Sequence, residues 1–108
     1  MSEMPDYQSF CASLQSSAPP AGISDELRSL WWARKDDWDQ AHQILQDLES
    51  VSASNVHAYL HRVEGDLSNA GYWYRRAGVP ICEDALSSEW DALVQRLVSQ
   101  ASADSALR

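Results

Sequence analysis

Apolar residues recur along this chain at intervals of three and four, the spacing that lines one face of an α-helix. Leu27, Leu30 and Trp31 show the pattern in one stretch, and Trp90, Leu93, Val94 and Leu97 show it in another. A half-buried β-strand needs strict alternation of apolar and polar residues, and no stretch sustains it. The spacing therefore predicts an all-α protein.

Turn signals divide this helical pattern into about six helices. The breaks fall at the proline-rich stretch 16–22, at Asp36-Asp37, at the polar stretch 50–55, at Gly65-Asp66 and at Gly78 with Pro80. Short connections favour antiparallel neighbours. We therefore expect two antiparallel hairpins, residues 24–49 and 54–78, flanked by an N-terminal helix and a last helix over about 83–101. The chain is predicted to be a single domain, 1–108, with its core over about 5–101 and a frayed tail at 102–108.

Net charge argues against one class of partner, and the lack of a long apolar run argues against another. The formal net charge is −8, which disfavours binding to a phosphate backbone, so we expect no nucleic-acid partner. No apolar run approaches the roughly 18 residues of a membrane span, so we expect no membrane partner. Residues 51–80 differ from the rest because they hold three arginines against two acids. Their guanidinium groups suit a carboxylate or a phosphate.

The two cysteines indicate a compartment. Cys11 and Cys82 stand alone, without the spacing of a metal site. We expect free thiols. The N-terminus MSEMPDYQSF lacks the basic start and the apolar run of a secretory signal, so we expect a cytoplasmic protein, in a compartment that keeps thiols reduced.

Two polar stripes make the second hairpin the predicted functional region. His57, His61 and Glu64 share one face of its first helix, and Asn69, Trp73 and Arg76 share one face of its second. Folding at Gly65 is expected to bring His61 near Trp73 and His57 near Arg76. If both stripes fall on one side, they line a shallow groove for a protein, an acidic peptide or a small anionic ligand. The predicted ligand-binding residues are His57, His61, Arg62, Asn69, Trp73 and Arg76.

Other interpretations of these residues stay open. A small enzyme or metal-binding protein could use the His57, His61 and Glu64 stripe, together with Arg62 or Arg76. The sequence HAYLH nevertheless lacks the glutamate of a zinc-protease motif, and no nucleophile–base pattern is evident. We therefore predict no catalytic residues, no metal and no cofactor. Exposed aromatic residues beside arginine also suit a homodimer interface, and Arg62 is expected to form an exposed ion pair with Asp66.

The second hairpin resembles a tetratricopeptide-type repeat, best over residues 51–80. The second-helix signature of that family is matched by Gly65, Ala70, Tyr74 and Ala77, with Pro80 close behind. Residues 24–49 match less well, since Asp36 replaces the glycine, and the two units lie 29 residues apart where the family repeats at about 34. The resemblance implies helical hairpins whose first helices face a ligand, here through Arg34, Asn55 and Arg62. The run EGDLSNAGYWYRRAG also resembles one found in uncharacterised bacterial and fungal proteins, which implies no activity.

Overall fold

The structure, a computed structural model, describes residues 5–106, with side chains as far as residue 101. Six α-helices and no strand are found in this part of the chain, so the all-α prediction is confirmed. The helices are α1 (Tyr7–Ala12, continued by a 3-10 turn over Ser13–Gln15), α2 (Asp25–Arg34), α3 (Trp38–Leu45), α4 (Val51–Val63), α5 (Leu67–Ala77) and α6 (Leu86–Ala106).

Two hairpins, α2–α3 and α4–α5, form the body of the fold, as the sequence predicts. Their turns are built alike. In the first, Asp36 has a φ of +62° and the Asp37 amide donates to the Trp32 carbonyl at 3.0 Å. In the second, Gly65 has a φ of +86° and the Asp66 amide donates to the His61 carbonyl at 2.9 Å. A left-handed residue that closes the last turn in this way ends a helix and reverses the chain.

Side-chain caps fix where five of the helices begin, with Asp6 capping α1 through the Ser9 amide. Asp37 accepts from the backbone amide of Gln40, and Asp66 accepts from that of Asn69, so the second helix of each hairpin starts identically. Ser24 and Ser50 cap the first helices in the same manner. Each cap satisfies a backbone N–H that has no partner within its own helix.

The last helix, α6, packs across α2 and α4 and also contacts α1. Trp90 is fully buried there, and its indole N–H donates to the Leu30 carbonyl at 2.8 Å. Tyr7 of α1 donates its hydroxyl hydrogen to Asp91 at 2.7 Å. The main core is built mainly from the first helices of both hairpins and α6, with contributions from α1 and α3. It includes Phe10, Leu27, Leu30, Trp31, Val56, Leu60, Trp90 and Val94.

Two helix boundaries differ from the sequence-based expectation. Helix α6 begins at Leu86 and continues to Ala106, where an extent of about 83–101 was predicted. The fraying predicted for the tail stays a prediction, because its side chains and residues 107–108 lie outside the described part. Helix α4 begins at Val51, since Ser50 supplies its cap. None of the described helices combines the length and the apolar character needed to cross a bilayer.

Candidate functional site

Two buried histidines on α4 form the centre of the candidate site. His57 and His61 are one helical turn apart, with ring centroids 6.0 Å from each other. Only 3% of His57 and 6% of His61 is exposed. Histidine is seldom buried so completely, so both side chains need a specific environment.

Helix α3 supplies a third imidazole that sequence reasoning missed. The ring of His42 lies 5.1 Å from that of His57 and 5.4 Å from that of His61. It stacks on Trp38 at 4.7 Å, and the Trp38 indole N–H donates to the Leu60 carbonyl at 2.7 Å. The i, i+4 spacing of Trp38 and His42 was a signal in the sequence, but only the docking of α3 on α4 shows that it joins this cluster.

Helix α5 completes the cluster from the other side. The Trp73 ring lies 4.0 Å from that of His57, and the Arg76 guanidinium lies 5.0 Å above the Trp73 ring. The two polar stripes therefore share one side of the hairpin. We call this surface the histidine face, and it comprises Trp38, His42, His57, His61, Trp73 and Arg76.

The pairing across the hairpin differs from the expectation by about one helical turn. His57, not His61, contacts Trp73, and His61 lies instead against Trp38 at 5.8 Å. The expectation put the bend at Gly65 but paired residues as if the hairpin were centred about two positions later. The tight turn places the centre at Gly65, with α4 ending at Val63 and α5 beginning at Leu67.

The His57 imidazole is buried without the hydrogen bonds that a polar ring in such a position normally makes. Both ring nitrogens are buried without a hydrogen-bond partner. Burial, aided by His42, His61 and Arg76, lowers the pKa of His57 to about 4. Burial and the neighbouring His61 also lower the pKa of His42. At neutral pH His57 is therefore an uncharged ring with one free donor and one free acceptor.

Arg62 lies away from this face, contrary to the predicted grouping. Its guanidinium contacts Glu89 of α6 at 2.6 Å and donates to the Asp84 carbonyl at 2.5 Å. The ion pair expected with Asp66 is replaced by this one. Glu89 is only 5% exposed and also accepts from the Tyr74 hydroxyl at 2.6 Å, so α6 determines the direction in which Arg62 points.

Asn69 lies one turn before Trp73 on the same stripe of α5 and is half-buried. Its backbone amide donates to the capping Asp66. No hydrogen bond of its side chain is found among the described residues, so the structure assigns it no contact with the histidines.

The three residues that the repeat resemblance implied as ligand-facing all lie toward α6. The Arg34 guanidinium stacks over Trp90 at 4.3 Å, and Arg62 pairs with Glu89. Asn55 borders a narrow cleft shared with Leu93. The chain's own last helix therefore covers the surface where that resemblance implies a ligand.

Two shallow cavities of about 320 and 350 Å³ lie on either side of Tyr74. Cys82 and Ile81 line both of them, and no histidine lines either. These cavities are therefore separate from the histidine face.

At one edge of the histidine face, three ligand-type side chains come together. His61 Nδ1 lies 2.6 Å from Glu64 Oε2. A ligand atom of Asp66 joins them, so that all three atoms lie within 4.8 Å of one another. The sequence stripe contained His61 and Glu64 but paired them with His57; the turn at Gly65 brings in Asp66 instead.

Comparisons with protein-family models, curated proteins and solved structures found no match for this chain. The resemblance to a tetratricopeptide-type repeat therefore stays a prediction from sequence, and the site must be interpreted from its own chemistry.

Proposed function

We propose that this chain is a helical interaction module that binds an acidic peptide or a small anionic ligand through its histidine face. One observation carries the proposal: the continuous stack of Arg76 on Trp73 and of Trp73 on His57. The stack presents a cation and a flat apolar wall side by side, with a buried imidazole behind them.

Each member of the stack has a role toward such a ligand. Arg76 is exposed and forms no ion pair with the described residues, so its fork of N–H donors is free for a carboxylate or a phosphate. Trp73 supplies contact area for the apolar part of the ligand. His57 is buried behind Trp73 and supports the position of its ring.

Local charge supports an anionic ligand in spite of the acidic chain. Glu89 neutralises Arg62, but Arg75 and Arg76 remain exposed at the end of α5. They also stand in the last turn of that helix, where the helix dipole favours cations. An acidic ligand therefore meets positive charge at this end of the hairpin.

We also propose a cytoplasmic location. Cys11 and Cys82 are both free and half-buried, which suits a reducing compartment.

A titration followed by NMR tests the binding proposal. Hexaglutamate, citrate and an uncharged hexaglutamine peptide would each be added to the ¹⁵N-labelled chain. We expect either anion, and not hexaglutamine, to shift the indole resonance of Trp73. Arg76→Gln should weaken this binding by about tenfold or more, because a hydrogen bond to a charged group contributes about 1.5–3 kcal/mol.

Arg75→Gln is the matched control, because it removes the same charge from the neighbouring exposed position. It should leave most of the affinity intact. If both variants lost the same affinity for the anion, the binding would depend on general electrostatic attraction, and the assignment of the site to Arg76 would be wrong. A Trp73 resonance that moves on dilution without ligand would show self-association through this face, and the ligand proposal would then fail.

A further inference from the structure

We infer that His61, Glu64 and Asp66 form a binding site for a divalent transition-metal cation of the zinc class. The site lies at the turn between α4 and α5, at the edge of the histidine face. It goes beyond the proposed ligand binding, because neither Glu64 nor Asp66 takes part in the Arg76–Trp73–His57 stack.

The donor set suits such a cation. One imidazole nitrogen and two carboxylate oxygens match the mixed ligands of zinc sites, and two carboxylates balance a divalent charge. Three protein ligands leave a position open for water or substrate.

The distances require only small movements. Ligand atoms around a tetrahedral zinc with bonds of 2.0–2.2 Å are about 3.4 Å apart. The three atoms here already lie within 4.8 Å of one another. Glu64 is exposed and free to adjust, whereas Asp66 is held by its cap on the Asn69 amide and His61 by burial.

The backbone of the turn holds the ligands in place. The Asp66 amide donates to the His61 carbonyl at 2.9 Å, and the Gly65 amide donates to the Arg62 carbonyl at 3.0 Å. The positive φ of Gly65 places its two acidic neighbours on either side of the bend. Asp66 Oδ1 accepts from the Asn69 amide, which leaves its other oxygen available.

A second buried imidazole, without a hydrogen-bond partner among the described residues, lies beside the site. The His57 ring, 3% exposed, lies 6.0 Å from that of His61, and neither of its nitrogens has a partner. Buried polar atoms are nearly always hydrogen-bonded. The His57 nitrogens therefore leave an unsatisfied polar group one helical turn from His61, which a polar ligand reaches only if the side chains around it move.

The experiment uses the full chain, freed of metal with a chelator and then titrated with zinc chloride by calorimetry. We expect one zinc per chain at micromolar affinity and a higher melting temperature with zinc. Glu64→Gln and Asp66→Asn should each weaken binding by about tenfold or more. Asparagine also caps helices well, so the second variant should keep the fold, as its melting without metal will show.

Asp37→Asn is the matched control, because Asp37 caps α3 just as Asp66 caps α5. The first hairpin has Trp32 and Lys35 where the second has His61 and Glu64. This control should bind zinc like the wild type. Absence of zinc binding, or equal binding by Asp66→Asn and the wild type, would overturn the inference.

One further variant separates this inference from the proposed function. Arg76→Gln should lose anion binding and keep zinc binding. If the wild type binds zinc but no anion, the proposed function fails and the metal site stands. If it binds an anion but no zinc, the metal site fails and the proposed function stands.

Discussion

At the scale of single residues, the sequence predicted which side chains share a side of the hairpin better than it predicted their neighbours. His57, His61, Trp73 and Arg76 lie together on one side of the second hairpin, as the two stripes indicate. Arg62 does not, because its direction depends on Glu89, 27 residues further along. Positions on one helix follow from its period, whereas a partner on another helix depends on docking.

Our first prediction concerns acid stability and His57. The pKa of this residue falls from 6.5 in the unfolded chain to about 4 in the folded protein, through burial and the neighbouring His42, His61 and Arg76. Below pH 6.5 the unfolded chain therefore gains a proton that the folded protein resists, and stability falls until about pH 4. The His57→Phe variant lacks this group. Between pH 7 and pH 4.5 its free energy of unfolding should therefore fall by about 2 kcal/mol less than that of the wild type.

Urea unfolding of both proteins at the two pH values, with a chelator present, measures this difference. Carboxylates titrate over part of the same range but are common to both proteins, so only the difference between them counts. At pH 7 the variant should remain within about 1 kcal/mol of the wild type, since it replaces a polar ring without partners. Identical acid sensitivity would show that His57 is not protonated on unfolding in this range.

At the scale of elements, local chemistry was sufficient to predict the helices and their turns. At two of the predicted breaks, Asp37 and Asp66 cap the helix that follows, and Gly78 ends α5 with a φ of +73°. The sequence also shows Asp36 where the repeat-like pattern has glycine. The structure gives the consequence: Asp36 occupies the left-handed conformation that Gly65 occupies one hairpin later.

Our second prediction follows from these two turns. Gly65→Ala should destabilise the protein by about 1 kcal/mol, because a side chain disfavours a positive φ even where space is open. Asp36→Gly should stabilise it by about 0.5 kcal/mol for the same reason, aspartate tolerating this conformation better than most residues.

Gly71→Ala is the control for both changes. Gly71 lies inside α5, and an added Cβ would meet only the Arg75 guanidinium at an ordinary 3.6 Å. Higher helix propensity should make this variant more stable, by up to about 1 kcal/mol. Thermal and urea unfolding measure all three. If Gly65→Ala proved as stable as Gly71→Ala, the strain argument would be wrong.

At the scale of the whole molecule, α6 joins the two hairpins into one core. It brings Trp90, Leu93, Val94 and Leu97 against the first helices of both hairpins. Its apolar spacing was evident in the sequence, but nothing in that spacing shows which surface it covers. The helix packs where the repeat resemblance implies an open ligand surface, so the histidine face on the other side of α4 is the better candidate.

Our third prediction tests this role by truncation. A chain ending at Pro80 should lose cooperative unfolding and near-ultraviolet circular dichroism. Removing a buried tryptophan alone costs about 3–5 kcal/mol, a large share of the 5–15 kcal/mol that stabilises a typical domain. A chain ending at Ala101 keeps every buried α6 residue that the structure describes and should unfold cooperatively. A folded 1–80 chain would show that the hairpins are stable without α6.

The sequence by itself determined the helical class, the caps, the turns and the polar stripes of the second hairpin. These features depend on residues within a few positions of one another, so the spacing of residues along a helix is enough to predict them. The tertiary structure alone decided that His42 joins the histidines, that Arg62 turns to Glu89, that His57 meets Trp73 and that Asp66 comes beside His61. Each of these contacts depends on how helices dock or on how tightly a turn closes, which local spacing does not specify.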